Sequence, residues 1–340
     1  MKKLLNTLYV TTQGVYLHRE GETLVAELEK RVVMRLPIHT LQSLICFGNV
    51  LVSPFLLGLC AEHGIHVSFL TETGQSLARV EGGKSGNVLL RMAQMQAAED
   101  AAKSADIARN IVIGKVLNAR TVLQRRLRDH GEEPLCAETV LWLANIVQRL
   151  RQAGNVDEIR GLEGEAAARY FAVFNTLLVA QQEDFRLETR SRRPPRDPLN
   201  ALLSFVYVLL AHDCEGALKS VGLDPQIGFL HALRPGRASL ALDLMEEFRA
   251  VFADRVALSL VNRGQIRRKD FVISESGAVT LTEEARRGVL IEWQKRKKEE
   301  TLHPFLNEKF PIGLFPFVQA HLLARFLRAD LDAYPPMIAK

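Results

Sequence analysis

Three stretches carry residue types that could share a cation. The first is Ser239 to Asp254, SLALDLMEEFRAVFAD. A helix advances about 100° per residue, so Leu244, Met245, Phe248, Val251 and Phe252 form one apolar stripe. Asp243 and Glu246 are three apart, about 60° from each other, and fall opposite that stripe, with Glu247 flanking it. Two carboxylates on one face repel unless a cation lies between them; a solvated acidic face is the plain alternative. The second stretch is Glu163 to Gln182, whose buried face is predicted from Ala167, Tyr170, Phe171, Phe174 and Leu178. Glu163 points along that face and Glu165 away from it. A buried carboxylate needs a partner, either a cation, an arginine or the positive end of its own helix. The third is Gly228-Phe229-Leu230-His231, separated from the acidic helix by a short loop containing Arg234-Pro235-Gly236-Arg237. A lone histidine is commonly structural. Neutral imidazole with two carboxylates nevertheless suits Mn²⁺ or Mg²⁺, with positions left for water and phosphate oxygens.

Basic residues surround these acids in sequence. Arg186, Arg190, Arg192, Arg193 and Arg196 crowd one segment; Arg263, Arg267, Arg268 and Lys269 form a second group, and Lys295 to Lys298 a third. Such groups can follow a phosphate backbone, although each alone reads as a solvated surface. The residues expected to meet DNA are Arg190, Arg192, Arg193, Arg237, Arg263, Arg267 and Arg268. The net charge of +5 fits a polyanionic partner without requiring one.

The elements that must position these groups change character along the 340 residues. The first eighty or so read as short strands around Leu8, Val15, Thr23, Val32, Ser43 and Ile65. A hairpin turn lies at Arg19 to Glu22, and a helix opens at Ser53-Pro54 and closes at Gly64. Beyond the Gly-rich segment Glu81 to Asn87 the chain becomes helical. Helical periodicity covers Val88 to Arg128 and then 137–152, 163–182, 199–213, 239–254, 283–300 and 314–330, with one small hairpin at Phe271 to Leu281. The expected class is α+β: a small β-rich N-terminal domain over 1–86 and a larger all-α domain over 87–340 that carries the candidate acids and histidine.

Several other chemistries find no support. Gly83-Lys84-Ser85 resembles the end of a phosphate-binding loop, but Ala78 stands where that loop needs glycine. The four cysteines include no CxxC pair, so neither a zinc knuckle nor a disulfide framework is expected. Asn6 and Thr7 interrupt any signal-peptide core, and the apolar stretches Leu51 to Ala61 and Ala201 to Ala211 fall short of the roughly 18 residues of a membrane span. The expectation is a cytoplasmic protein without a membrane partner.

Four ordered motifs carry a family resemblance: GLEGEAAARYF at 161–171, DPLNALLSFVYVLL at 197–210, GLDPQIGFLH at 222–231 and SLALDLMEEFR at 239–249. Together with ARNIVIGKVLNAR at 108–120 they resemble the CRISPR spacer-acquisition integrase, the first CRISPR-associated protein ("Cas one"). The wording is most similar to the type I-C branch. Residue by residue, the resemblance implies a metal set of Glu163, His231 and Glu246 for Mg²⁺ or Mn²⁺, with Asp243 as an assisting acid. Asn118-Ala119-Arg120 departs from the family's frequent Asn-Gln-Arg, which touches a local helix contact only. The resemblance further implies a prokaryotic homodimer paired through its N-terminal domain. It would act with the small second CRISPR-associated protein ("Cas two") and, in type I-C systems, the "Cas four" nuclease.

The implied reaction is transesterification: a 3′-OH of captured double-stranded DNA attacks a phosphodiester in the CRISPR repeat. Water in place of the hydroxyl makes the same site an endonuclease. The rivals are a stand-alone structure-specific DNA endonuclease and a non-catalytic DNA-binding scaffold with a structural acidic cluster.

Overall fold

The computed structural model describes residues 6–72, 76–80, 88–191 and 194–339. The architecture is α+β, a β-rich N-terminal part followed by a larger helical part, and the chain folds as two compact units. The first comprises Met1–Ser85, Glu283–Glu299 and Ile312–Leu314; the second comprises Gly86–Thr282, Glu300–Pro311 and Phe315–Lys340. The expected boundary at residue 86 lies outside the described residues.

The first unit contains two sheets. One has the order β1 (Thr7–Val10), β5 (Ser43–Phe47), β7 (His66–Leu70), β8 (Ser76–Val80). The other has the order β4 (Arg31–Pro37), β3 (Thr23–Leu28), β2 (Tyr16–Glu20), β6 (Leu51–Val52). Strands β1, β5 and β7 are parallel, and β5, in the middle, is buried from Leu44 to Phe47. That explains its unbroken apolar run. Strand β4 alternates weakly and is largely exposed, with Arg31 and Arg35 on its edge. Gly21, at φ +56°, makes the two-residue turn between β2 and β3. Ser53 caps α1 (Pro54–Glu62) by accepting a hydrogen bond from Leu56 N. Leu17, Leu24, Ile38, Leu44 and Leu56 form the centre of this core. Helix α9 (Glu283–Lys297) belongs to this unit, where Gln294 donates to Thr7 O at 3.3 Å and Arg287 to Thr11 Oγ1 at 3.2 Å. Position in the chain alone assigns α9 to the helical domain, and the packing overrides that assignment.

In the second unit, Asp100 divides the long periodicity after Val88 into α2 (Val88–Glu99) and α3 (Ala101–His130). Its carboxylate accepts hydrogen bonds from Ala102 N and Lys103 N and so starts a new helix. Pro134 opens α4 (Pro134–Gln152). Helix α5 (Val156–Ala172) begins seven residues before the expected position because Asn155 caps it, accepting from Glu158 N. It also ends ten residues early. Asn175 pairs with both backbone groups of Leu187, at 2.8 Å each, and draws the chain out of the helix. The buried stripe of α5 is Ile159, Leu162, Ala166 and Tyr170, rotated from the expected one; Ala167 and Phe171 are only half-buried.

Helix α6 (Pro198–Val221) runs from the Asp197 cap to Gly222, in the left-handed conformation at φ +89°. It is longer than its apolar stretch suggested, and by length and composition could cross a membrane. However, 67% of its most apolar window is buried, and it packs against α10 (Phe315–Leu327) and α7 (Ser239–Glu246) as the core helix of this unit. The stretch 239–254 is not one α-helix. After α7 the chain passes through a π-helical segment, Arg249–Asp254, into α8 (Arg255–Asn262). The hairpin β9 (Phe271–Ile273) and β10 (Val279–Leu281) lies where expected, and a second, β11 (Glu300–Leu302) with β12 (Lys309–Pro311), was not foreseen.

Leu44→Ala, at a site with 0% exposure, should cost ~2–5 kcal/mol and lower the urea unfolding midpoint. Phe55→Ala, 77% exposed in the same unit, should change stability by less than ~0.5 kcal/mol. Equal losses would contradict the layering described.

Candidate functional site

Helix α7 is buried on all sides, which removes the solvated acidic face. Asp243 is 0% exposed and Glu246 2%. Glu247, expected to flank the stripe, is also fully buried, enclosed by Tyr334, Gln319 and the backbone of Met337. Burial pushes the Glu247 carboxyl up to about 8, against the pull of those donors. Two adjacent glutamates therefore enter the core about 100° apart and meet different surroundings.

Asp243 acts on the loop before its helix. Oδ2 accepts from Phe229 N at 2.6 Å and Leu230 N at 3.0 Å; Oδ1 accepts from His231 N at 2.9 Å and lies 2.6 Å from His231 Nδ1. The loop can approach this closely because residue 228 is glycine: a Cβ there would stand 2.8 Å from Asp243 Oδ2 and from Ser239. Gln94 on α2 fixes the loop from behind through Asp224 and Ile227, and Arg160 on α5 donates to Leu230 O at 3.0 Å. His231 is thus held at Nδ1 by a carboxylate, with its side chain 23% exposed.

Glu163 on α5 and Glu246 on α7 meet at a third side chain. Lys115 of α3 donates to Glu163 Oε1, and its Nζ lies 2.7 Å from Glu246 Oε2. Lys115 is thus the group that meets Glu246 Oε2, a buried oxygen that no other described side chain in the site reaches. Arg249 holds the other oxygen, Oε1, at 3.0 Å. Burial works to raise the Glu246 carboxyl, but Arg249, Lys115 and His231 outweigh it and hold it below its ordinary range. Glu163 is 23% exposed; Glu165 points outward to Arg149.

Glu163 and Glu246 therefore come together around one ammonium, and His231 with Asp243 lies close enough to act on Glu246 electrostatically. As the side chains stand, no three His, Cys, Asp or Glu groups among the described residues converge to hold an ion. The composition of the site still fits a divalent cation: a buried carboxylate held ionised by cations, a part-exposed carboxylate and an imidazole fixed through Nδ1 by Asp243. Lys115 and Arg249 were missed in the sequence. A lysine within IVIGKVL, flanked by apolar residues on a core helix, was the available signal for the first.

The basic residues divide. Arg190 is half-buried over the rings of Phe171 and Tyr207 and donates to Asn200. Lys297, in the third basic run, is 2% exposed, and a Cβ on Gly313 would stand 2.8 Å from its own Cβ. Neither matches the solvated surface expected of it. Arg263, Arg267 and Arg268 are exposed and Arg237 is half-buried; Arg192 and Arg193 lie outside the described residues.

The family model for CRISPR associated protein Cas1 matches residues 8–295. The chain belongs to the Cas1 family. It is 54% identical over the full length of both chains to CRISPR-associated endonuclease Cas1 2 of Rhodospirillum rubrum. It is 52% identical to CRISPR-associated endonuclease Cas1 1 of Chlorobaculum tepidum, covering 99% of each. Among solved structures, a Cas1 protein from Thermotoga maritima shares the fold at TM-score 0.83 and 24% identity, over 97% of this chain and 99% of that one. A casposase bound to integration product does so at 0.85 and 22%, over 98% and 94%.

Two outcomes follow. Asp243→Ala would leave the N–H groups of Phe229, Leu230 and His231 without their acceptor. At ~1–3 kcal/mol for each unsatisfied buried donor, the melting temperature should fall sharply; an unchanged melt would contradict the bonding described. The second concerns Asp254, buried beneath the hydroxyls of Tyr170 and Tyr207 and pushed up by burial to about 6 from 3.8. A raised folded-state value means its contribution is complete below about pH 4 and is lost as pH rises through about 6. Wild type should therefore lose stability relative to Asp254→Asn across that window, by roughly 1.4 kcal/mol for each pH step of one, in melts at a series of pH values.

Proposed function

We propose that this Cas1-family protein is a metal-dependent DNA integrase and endonuclease that inserts captured double-stranded DNA into a CRISPR repeat. Glu163, His231 and Glu246 would hold Mg²⁺ or Mn²⁺. The observation that carries the reading is the meeting of a part-exposed and a buried carboxylate beside an imidazole whose Nδ1 is fixed by Asp243. A bound divalent ion supplies Lewis-acid stabilisation of charge developing on the phosphodiester.

The chain's own groups have separable tasks. Asp243 fixes the imidazole and the backbone of its loop, so His231 meets its partner through Nε2. Arg249 keeps Glu246 ionised from the side of Oε1. Arg160 ties Leu230 to α5, the helix of Glu163, and so couples the two halves of the site. The exposed Arg263, Arg267 and Arg268, with Arg237, would contact phosphates.

Relatives supply the context. Those most similar in sequence are named endonucleases, and the fold is shared with a casposase solved on its integration product. A Cas4/Cas1 fusion from Geobacter sulfurreducens is 34% identical over 98% of this chain, and a Cas6-RT-Cas1–Cas2 complex resembles it at TM-score 0.82. A homodimer paired through the β-rich unit, working with Cas2 and with Cas4 in a type I-C cytoplasmic system, belongs to the same proposal.

Strand transfer of a short 3′-OH duplex into a repeat-bearing supercoiled plasmid, with Mn²⁺ and the Cas2 partner, tests it. Wild type should give joined product, and Glu163→Ala and His231→Ala should reduce it at least ~100-fold while retaining DNA binding. Equal joining by the variants would remove these residues from the reaction. Clean cutting without joining would make the protein a plain nuclease.

A further inference from the structure

The proposed ion position already faces a cation. Lys115 Nζ reaches Glu163 Oε1 and Glu246 Oε2, with its side chain 12% exposed. It projects from α3, whose flanking residues Gly114 and Val116 are buried. Arg249 occupies the other oxygen of Glu246, lies 13% exposed and packs its guanidinium 4.9 Å from the Tyr207 ring centroid. The two cations differ in how firmly they are held. Arg249 lies over a tyrosine ring; Lys115 is a point charge on a flexible stem. Lys115 spans both glutamates, donating to the more exposed one and lying 2.7 Å from Oε2 of the buried one.

We propose that Lys115 is the resident counter-cation of the Glu163–Glu246 pair, and that a divalent ion binds between these carboxylates by displacing it. The inference rests on the metal reading above and adds a residue that sets the affinity. An ammonium and a divalent ion cannot share the gap. Both need the oxygen lone pairs that face it, and like charges a few ångströms apart in a half-buried site repel strongly. While Lys115 is in place, it relieves repulsion between the carboxylates and keeps them at one spot. It is therefore a positioning residue with a cost to metal affinity, since the ion must break two ionic contacts to enter.

The test is Mn²⁺ titration of the metal-stripped full-length chain by calorimetry, comparing wild type, Lys115→Met and Lys115→Arg. Lys115→Met should bind Mn²⁺ about tenfold more tightly, an ordinary size for coupling between two ligands of one site, and Lys115→Arg no more tightly than wild type. Without metal, Lys115→Met should melt below wild type, and saturating Mn²⁺ should narrow that difference. Unchanged or weaker binding by Lys115→Met overturns the displacement. Should that variant fail to fold, acylation of wild-type amines decides the matter. Mn²⁺ should increase labelling of Lys115, read by peptide mass spectrometry, and unchanged or reduced labelling overturns the proposal. Failure of wild type and Lys115→Met alike to bind Mn²⁺ would overturn the metal reading and this inference together. Binding by wild type with no gain in the variant would remove only the role of Lys115.

Discussion

Charge balance around one helix governs the second unit. A carboxylate withdrawn from water must be met by cations or by enough donors, and α7 brings three carboxylates inside at once: Asp243, Glu246 and Glu247. Each is met differently. Asp243 receives backbone N–H groups and an imidazole, Glu246 receives Lys115 and Arg249, and Glu247 receives Tyr334, Gln319 and Met337 N. The donors come from the 224–231 loop, from α3, from the π-helical segment, from α10 and from the C-terminal segment. Most packing decisions in this unit serve that requirement.

Only one of the three solutions leaves chemistry available. Asp243 is saturated by the loop it anchors. Glu247 is surrounded by neutral donors, which do not offset burial, so its carboxyl rises toward the protonated form. That form suits a structural strut: the C-terminal segment is tied to it, and Asn118 ties the same segment to α3 through Met337 O at 2.8 Å and Ala339 N at 2.7 Å. Glu246 is held ionised by two side-chain cations, and one of its oxygens meets only the flexible ammonium of Lys115. Ionisation without saturation is the condition a ligand-binding carboxylate must meet.

The parts legible in the sequence were those decided by local chemistry. Ser53-Pro54 announced a cap, Gly21 a tight turn, and the apolar run of β5 a buried strand. The misjudged boundaries turned on single polar side chains: Asp100 breaking a long periodicity, Asn155 starting α5 early, Asn175 ending it. At the site, the helix wheel separated Glu163 from Glu165, but its stripe over 244–252 assumed one continuous α-helix where the chain turns π-helical after α7. It could not show that the acidic side of α7 is buried too. A wheel sets one helix against solvent, whereas the groups facing Glu246 and Glu247 come from elsewhere in the chain, as Lys115 and Tyr334 do. The setting of Arg190 was hidden for the same reason, since charge in a linear segment does not reveal two aromatic rings waiting to receive it.

The two glutamates that meet at Lys115 are unequal, and the inequality has a direction. Glu246 is 2% exposed and held by Arg249 from within; Glu163 is 23% exposed on a helix whose opposite side carries the solvent-facing Glu165. One carboxylate is fixed by the core and the other retains contact with water. Under the proposed metal reading, an ion approaching from solvent would meet the adjustable carboxylate first, and the fixed one would set its final position. Reversing the burial would put the rigid group at the entrance and the mobile one inside, where rearrangement costs most in a packed interior. The same logic applies to His231, which at 23% exposure has one nitrogen anchored on a fully buried aspartate. Glu246 and His231 are thus each fixed from within, Glu246 by Arg249 and His231 by Asp243, while Glu163 is left free to adjust.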